Sequence, residues 1–231
     1  MKLLEKIIIF DQGGVSGSQL WKELETNITH TIKRMVNPKG QNEFIIRAKM
    51  TSEKDKNGKK VKCDKRNGVA HIKKLFCSDL TASDRTWKTE VCITDKKNEW
   101  QVGKADFVKI NNSGENIILE WETGNISSSH RSLNKIALAI YKGFFTVGIL
   151  IVPSRDLYRH LTDRVGNIEE LRPYIELWSL IGEKVKRGLL AIFVVEHDKI
   201  TEDPSIDYLT RGGDGNAKKE TLFINPVDNH N

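Results

Sequence analysis

Glu120 and Glu122 flank a single tryptophan in the run Leu119-Glu-Trp-Glu-Thr-Gly-Asn-Ile-Ser-Ser-Ser-His-Arg-Ser-Leu-Asn-Lys135. The run reads as a short strand that turns through Gly124 into a helix rich in small polar and basic residues. Strand side chains alternate faces, so the two carboxylates point one way while Leu119 and Trp121 point the other. A hairpin partner would bring Asp106 across beside them. Three converging carboxylates repel one another, and their pKa values rise unless a cation intervenes. Hard oxygen donors of this kind suit Mg²⁺, which keeps several waters and also takes phosphate oxygens. One or two such ions can activate water, stabilise charge on a transferring phosphate and support the leaving oxygen. The same spacing also describes solvated acids on a half-exposed strand, and taken alone it leaves that alternative open.

The elements that must position these residues follow from periodicity. Residues 18–36 carry Leu20, Trp21, Leu24, Ile28, Ile32 and Met35 at helical spacing. Asn57-Gly58 marks a hairpin within the basic stretch 47–66. A short helix is expected over 70–80. Strands are expected around 105–110 and 116–122, joined through the turn residues 111–116. A helix over 127–142 follows, capped from Ser127 to Ser129, with Leu133, Ile136, Ala137 and Ile140 on one face. Thr146 to Val152 and Leu189 to Val195 are continuous apolar runs, hence buried strands. Ser154 to Leu161 reads as a helix. Asn167 and Glu170 have capping-box spacing before another helix reaching about 185, whose start Pro173 can shift. Beyond residue 200 the chain is a polar tail. Helices alternating with buried strands imply α/β class: a single domain over 1–231 with a central mixed sheet. Gly13-Gly-Val-Ser-Gly17 lacks the Lys-Ser/Thr of a phosphate loop and reads as a turn.

Composition narrows the partners. The chain has 231 residues, 38% hydrophobic and 29% charged, in the range of soluble globular proteins. No apolar run approaches the roughly 18–20 residues of a membrane span, and the opening residues lack a secretory core segment. Cys63, Cys77 and Cys92 have no CxxC spacing and read as free thiols in a reducing cytoplasm. Residues 47–66 hold nine Lys or Arg against three acids, which accounts for the whole +6 net charge. A basic segment on a neutral body suits a polyanion. A solvated loop is the alternative.

The central run resembles the core motif of the BamHI-type restriction endonucleases, a variant of the PD-(D/E)XK group in which Glu122 stands where most members carry Lys. The resemblance continues in order through Asn67-Gly-Val, Ile72-Lys73, His130-Arg131-Ser132, Asn134-Lys135, Leu161-Thr-Asp-Arg-Val165, Glu169-Glu-Leu, Pro173-Tyr and Gly213-Asp214-Gly215. It spans about 67–219, is dense over 117–177 and is thin over the first 66 residues. It implies a restriction-endonuclease-like fold, with helices on both faces of the sheet. It implies Asp106, Glu120 and Glu90 as ligands of Mg²⁺ and Glu122 as the general base that takes a proton from the attacking water.

The resemblance also implies DNA-reading roles. Asn and Ser can bond adenine or thymine edges, Arg pairs bidentately with guanine, and Asp accepts from the cytosine amino group. Asn125 and Ser127 would read an inner A·T pair, and Asp163 with Arg164 an outer G·C pair. Arg131 and Asp214 would read the middle pair, assisted by Lys73. The implied activity is type II cleavage of GGATCC in double-stranded DNA, leaving 5′ overhangs. A palindrome calls for a homodimer, with the apolar helices near 127–142 and 167–181 as its interface. A bacterial cytoplasmic location and a separate protective methyltransferase go with that activity. Two other readings remain: a DNA-binding protein of the same fold that does not cut, against which the intact acids argue, and a metal nuclease for damaged or branched DNA.

Overall fold

Two uninterrupted apolar runs, Val147–Pro153 and residues 189–195, lie side by side as parallel strands buried on both faces, the environment that such runs require. The computed structural model describes residues 1–95, 100–162, 164–210, 220–227 and 229. In chain order the strands are β1 (Lys2–Gln12), β2 (Ile45–Arg47), β3 (Met50–Lys54), β4 (Lys60–Lys65), β5 (Trp87–Asp95), β6 (Gln101–Lys109), β7 (Ile117–Trp121), β8 (Val147–Pro153), β9 (Gly188–Glu196), β10 (Lys199–Thr201) and β11 (Thr221–Ile224). The helices are α1 (Gln19–Arg34), α2 (Val69–Ser83), α3 (Ile126–Tyr141), α4 (Arg155–Tyr158), α5 (Ile168–Leu171) and α6 (Ile175–Gly182).

Among the described residues, seven strands form one sheet in the order β1-β9-β8-β7-β6-β5-β11. β7, β8 and β9 run parallel; β1 and β6 are antiparallel to their neighbours, so the sheet is mixed. On one face, Trp21, Leu24, Ile28 and Ile32 of α1 and Ile72, Phe76 and Leu80 of α2 pack on Phe107, Leu119, Ile149 and Phe193. On the other, Leu133, Ile136 and Ile140 of α3 and Trp178 of α6 pack on Ile118, Leu150 and Ile192. The sheet thus separates two cores, and the expected α/β architecture with helices on both faces is what the chain adopts.

Local chemistry explains most boundaries. The Ser18 side chain accepts the Trp21 amide and starts α1. Gly58 takes φ +77° in the β3–β4 turn, a left-handed conformation that glycine adopts at little cost. The expected helix over 154–161 shrinks to α4. The Asn67 amide draws off the His160 carbonyl and the Asn67 carbonyl accepts from Thr162, so the chain leaves the helix to pair there. The helix expected to run to 185 is broken into α5, a 3-10 turn over Arg172–Tyr174 and α6. Pro173 sits in that turn and has no N–H for an α-helical bond. The cap of α3 is Asn125, whose Oδ1 accepts the Ser128 amide at 3.2 Å, and not the serine run. Residues beyond 200, read as a tail, supply β11, which adds parallel to β5. All three cysteines are free thiols. No described helix is long and apolar enough to cross a membrane.

Candidate active-site cleft

The ladder between β6 and β7 pairs Lys109 with Ile117, Val108 with Ile118 and Phe107 with Leu119, and the next residues are Asp106 and Glu120. The hairpin reading is therefore right in its consequence: it delivers Asp106 to the end of β7, which carries Glu120 and leads directly into Glu122. There the Asp106 carboxylate, through Oδ2, accepts the Trp121 amide at 2.9 Å. β5 lies on the other side of β6 and brings Glu90 alongside. Glu90 holds φ +55°, a left-handed backbone that is costly for a glutamate inside a strand.

Glu90, Asp106, Glu120 and Glu122 line one cleft of about 550 Å³. Its far wall is α3, through Ser128, Arg131, Ser132 and Lys135. Those four recur at i, i+3, i+4 and i+7, a polar stripe beside the apolar one that faces the core. The stripe could have been read from sequence, and its Lys135 was not assigned a role.

Lysines neutralise the acids. The Lys73 ammonium donates to Glu90 Oε1 and to Asp106 Oδ1, each at 2.6 Å. Lys104 pairs with the other Glu90 oxygen. Lys135 stands 2.5 Å from Glu120 Oε1. Sequence reasoning missed the roles of Lys104 and Lys135, and placed Lys73 with base recognition instead of among the acids. Burial works against the Lys73 ammonium, but the Asp106 and Glu90 carboxylates hold its pKa above the usual lysine value. Burial likewise opposes ionisation of Glu90, yet Lys104 and Lys73 hold its carboxyl below the usual range.

Glu120 and Glu122 behave in the opposite way. Burial, then repulsion from Asp106, pushes Glu120 up to about 7 despite Lys135. Burial also pushes Glu122 up to about 7, partly offset by the Ser129 hydroxyl and the Gly124 and Thr123 amides. The Gly124 amide donates to Glu122 Oε1 at 2.6 Å, while Glu122 Oε2 is buried and makes no hydrogen bond of normal geometry among the described residues. A Cβ at position 124 would stand 2.6 Å from Ser128 Oγ, so only glycine lets the chain turn this tightly under the carboxylate.

Four hard oxygen side chains, two of them (Glu120 and Glu122) with a buried oxygen that makes no hydrogen bond among the described residues, fit a hard divalent cation by donor chemistry. As placed, no three acid, His or Cys side chains among the described residues stand close enough to share an ion, and the ammonium groups supply the positive charge.

The raised acids have a consequence for stability. The folded state holds these protons more tightly than the unfolded chain, whose glutamates titrate near 4.5. That contribution is complete below about 4.5 and is lost as pH rises through about 7. The melting temperature in EDTA is expected to fall between slightly acidic and slightly alkaline pH. A protein carrying both Glu120→Gln and Glu122→Gln should show a flatter profile, measured by calorimetry; parallel profiles would show that the two carboxyls are not the cause.

Of the remaining base-reading candidates, Arg131 lines the cleft wall on α3, and Asn125, Ser127 and Arg164 lie beside the start of that helix. Asn125 and Ser127 are exposed at the start of α3, Arg131 is exposed one turn on, and Arg164 is exposed with φ +49°. Asn125 and Val165 form a bridge that joins the two segments. Asp163 and Asp214 lie outside the described residues. His130 is a packing residue, its ring edge-on to Tyr174 at 4.6 Å and near Trp178.

Comparison with known proteins places the chain in a family. The family model for restriction endonuclease BamHI matches residues 1–216. The type II restriction enzyme OkrAI of Oceanobacter kriegii is 35% identical over 217 residues, 94% of this chain and 99% of that protein. The type II restriction enzyme BamHI of Bacillus amyloliquefaciens is 34% identical over 158 residues, 66% of this chain and 69% of that one. In fold, the chain is similar to the crystal structure of restriction endonuclease BGLII complexed with a DNA 16-mer. That likeness has a TM-score of 0.55 at 13% identity, covering 84% and 79% of the two chains. The family match includes the first 66 residues, where the sequence motifs alone were thin. The chain belongs to the BamHI family of restriction endonucleases.

Proposed function

We propose that the protein is a type II restriction endonuclease that hydrolyses both strands of duplex DNA at GGATCC with Mg²⁺, leaving 5′ overhangs. The observation that carries this reading is the single cleft that gathers Glu90, Asp106, Glu120 and Glu122 against the polar face of α3. The family generally uses divalent metal ions. Asp106, Glu120 and Glu90 would hold the ion, displacing Lys73 and Lys135 from their carboxylates. A bound Mg²⁺ supplies Lewis-acid stabilisation of the phosphate.

The chain's own residues do the rest. Glu122, anchored through Oε1 by the Gly124 amide, presents Oε2 to the attacking water and takes its proton; a carboxyl near 7 is matched to that task. Asp106, fixed to the Trp121 amide, holds the end of β7 in place. Asn125 and Ser127 read the inner A·T pair from the start of α3. Asp163 and Arg164 read the outer G·C pair, and Arg131 and Asp214 the middle pair. Lys73 reaches a base only after releasing Glu90 and Asp106.

A palindrome requires two copies, and the protein offers a face for the second. Leu138, Tyr141, Leu177, Leu180 and Ile181 of α3 and α6 line an apolar groove of about 390 Å³, with Leu177 57% and Leu180 52% exposed. This reading makes that groove the dimer interface. Leu177→Asp with Leu180→Asp is expected to give monomers in sedimentation and no double-strand cuts. A variant that remains dimeric places the interface elsewhere. The activity itself is tested by incubating the protein with plasmid and Mg²⁺. Discrete fragments that EDTA abolishes are expected, and intact plasmid would refute the reading.

A further inference from the structure

The β3–β4 hairpin has no buried face. Its side chains are exposed apart from partly covered Met50, Ser52 and Cys63. A two-stranded ribbon is at best marginally stable alone in water, and this one gains almost nothing from either core. Its charge is not internally balanced. Glu53 pairs with Lys65, Asp64 with Arg66 at 2.7 Å, and Asp55 accepts the Asn57 and Lys59 amides in the turn. The hairpin's three acids are thus engaged within it. Lys54, Lys56, Lys59, Lys60 and Lys62 are exposed and form no ion pair among the described residues.

The root of the hairpin, in contrast, is held firmly. The Ala48 amide donates to Thr201 O, and the Tyr208 hydroxyl donates to Ala48 O, both at 2.8 Å. The Lys49 amide donates to His160 Nδ1 at 3.0 Å. Asn67, just past the hairpin, donates to Arg47 O and bridges to Leu161. The hairpin therefore leaves the body beside the segment that leads to Arg164, and immediately before α2, which carries Lys73 into the cleft.

We infer that this hairpin is a clamp on the phosphate backbone of duplex DNA flanking the cleavage site, and that it reads no bases. The inference rests on the duplex-cutting function proposed above. Lysine ammoniums on flexible stems are point charges suited to phosphates, without the planar fork that reads guanine. Phosphate contacts position a protein without carrying sequence information.

The test replaces Lys54, Lys56, Lys59, Lys60 and Lys62 with Gln. Binding is followed by anisotropy in EDTA across a salt series, on a long duplex containing GGATCC, an unrelated long duplex and a duplex trimmed to the site. Each lost phosphate contact removes about 0.9 from the slope of log K against log salt, so the slope is expected to fall by about 2 or more. Affinity for both long duplexes should drop together, the ratio between them should hold, and the advantage of long over trimmed DNA should disappear. The core is untouched, so the melting curve should match the parent's. A second variant replaces residues 51–64 with a short Gly-Ser turn between the cross-strand partners Met50 and Lys65 and should behave alike. An unchanged slope overturns the inference and leaves the hairpin a solvated surface element. A fall confined to the GGATCC duplex also overturns it, since that is base reading. If the parent cuts DNA as proposed, either of those results counts against the clamp alone; a parent that binds no duplex overturns both claims.

Discussion

Glu122→Gln is expected to lower the cleavage rate by about 10²–10⁴-fold, the usual contribution of a positioned general base, while leaving DNA binding intact. The size follows from the environment. Glu122 is buried, one oxygen is tied to the Gly124 amide, and the other makes no hydrogen bond of normal geometry among the described residues. The amide of glutamine keeps the shape and the Gly124 contact but cannot take a proton from water at neutral pH. The residues proposed to read bases are separate side chains on α3 and near Arg164, so affinity for the site should change little. The parent's rate should climb with pH to a plateau as Glu122, raised by burial, loses its proton, and the variant should not follow that profile. Single-turnover cleavage and a gel shift on the same duplex give both readings. A variant that cuts at the parental rate would remove Glu122 from the role of base.

Glu120→Gln is expected to have a loss of similar or greater size by a different route. Its carboxyl is nearly inaccessible, faces the Asp106 charge and is paired with Lys135, with Lys73 acting on it from farther away. If Glu120 holds Mg²⁺, glutamine removes one anionic donor. Metal stabilisation of the transition state is worth several kcal/mol, and tenfold in rate is about 1.4 kcal/mol. A loss of about 10³-fold therefore follows at ordinary Mg²⁺. The distinguishing readout is the Mg²⁺ concentration for half-maximal rate, which should rise for Glu120→Gln and stay near the parental value for Glu122→Gln. A Glu120 variant with unchanged Mg²⁺ requirement would show that this carboxylate does not bind the ion.

How much of this was legible in the sequence depended on whether the information was local. The α1 stripe, the Asn57-Gly58 turn and the apolar strands β8 and β9 follow from periodicity and turn chemistry, and all of them formed. Glu120, Glu122 and Asp106 could be placed together because a hairpin is a local object. β5 was missed because Lys88, Thr89 and Glu90 interrupt any alternation, and Glu90, turned by its left-handed backbone, faces the cleft. β1 was missed because its two faces are not separated by polarity: Leu4 and Ile8 are exposed with Lys2 and Lys6, Glu5 sits on the more covered face, and only pairing with β9 makes it a strand. The early end of α4 and the break at Pro173 depend on competition from Asn67 and on a missing amide, neither of which periodicity reports. The lysines among the acids were invisible for a related reason. Lys73, Lys104 and Lys135 come from α2, β6 and α3, and only tertiary folding brings them to carboxylates on β5, β6 and β7.

The central claim is that this acidic cleft cuts both strands of a DNA duplex at one palindrome. Sequencing the ends of the fragments produced from plasmid with Mg²⁺ tests it most directly. The account expects every end to fall within GGATCC and to carry a 5′ extension; ends scattered across unrelated sequences, or nicks confined to one strand, would contradict it.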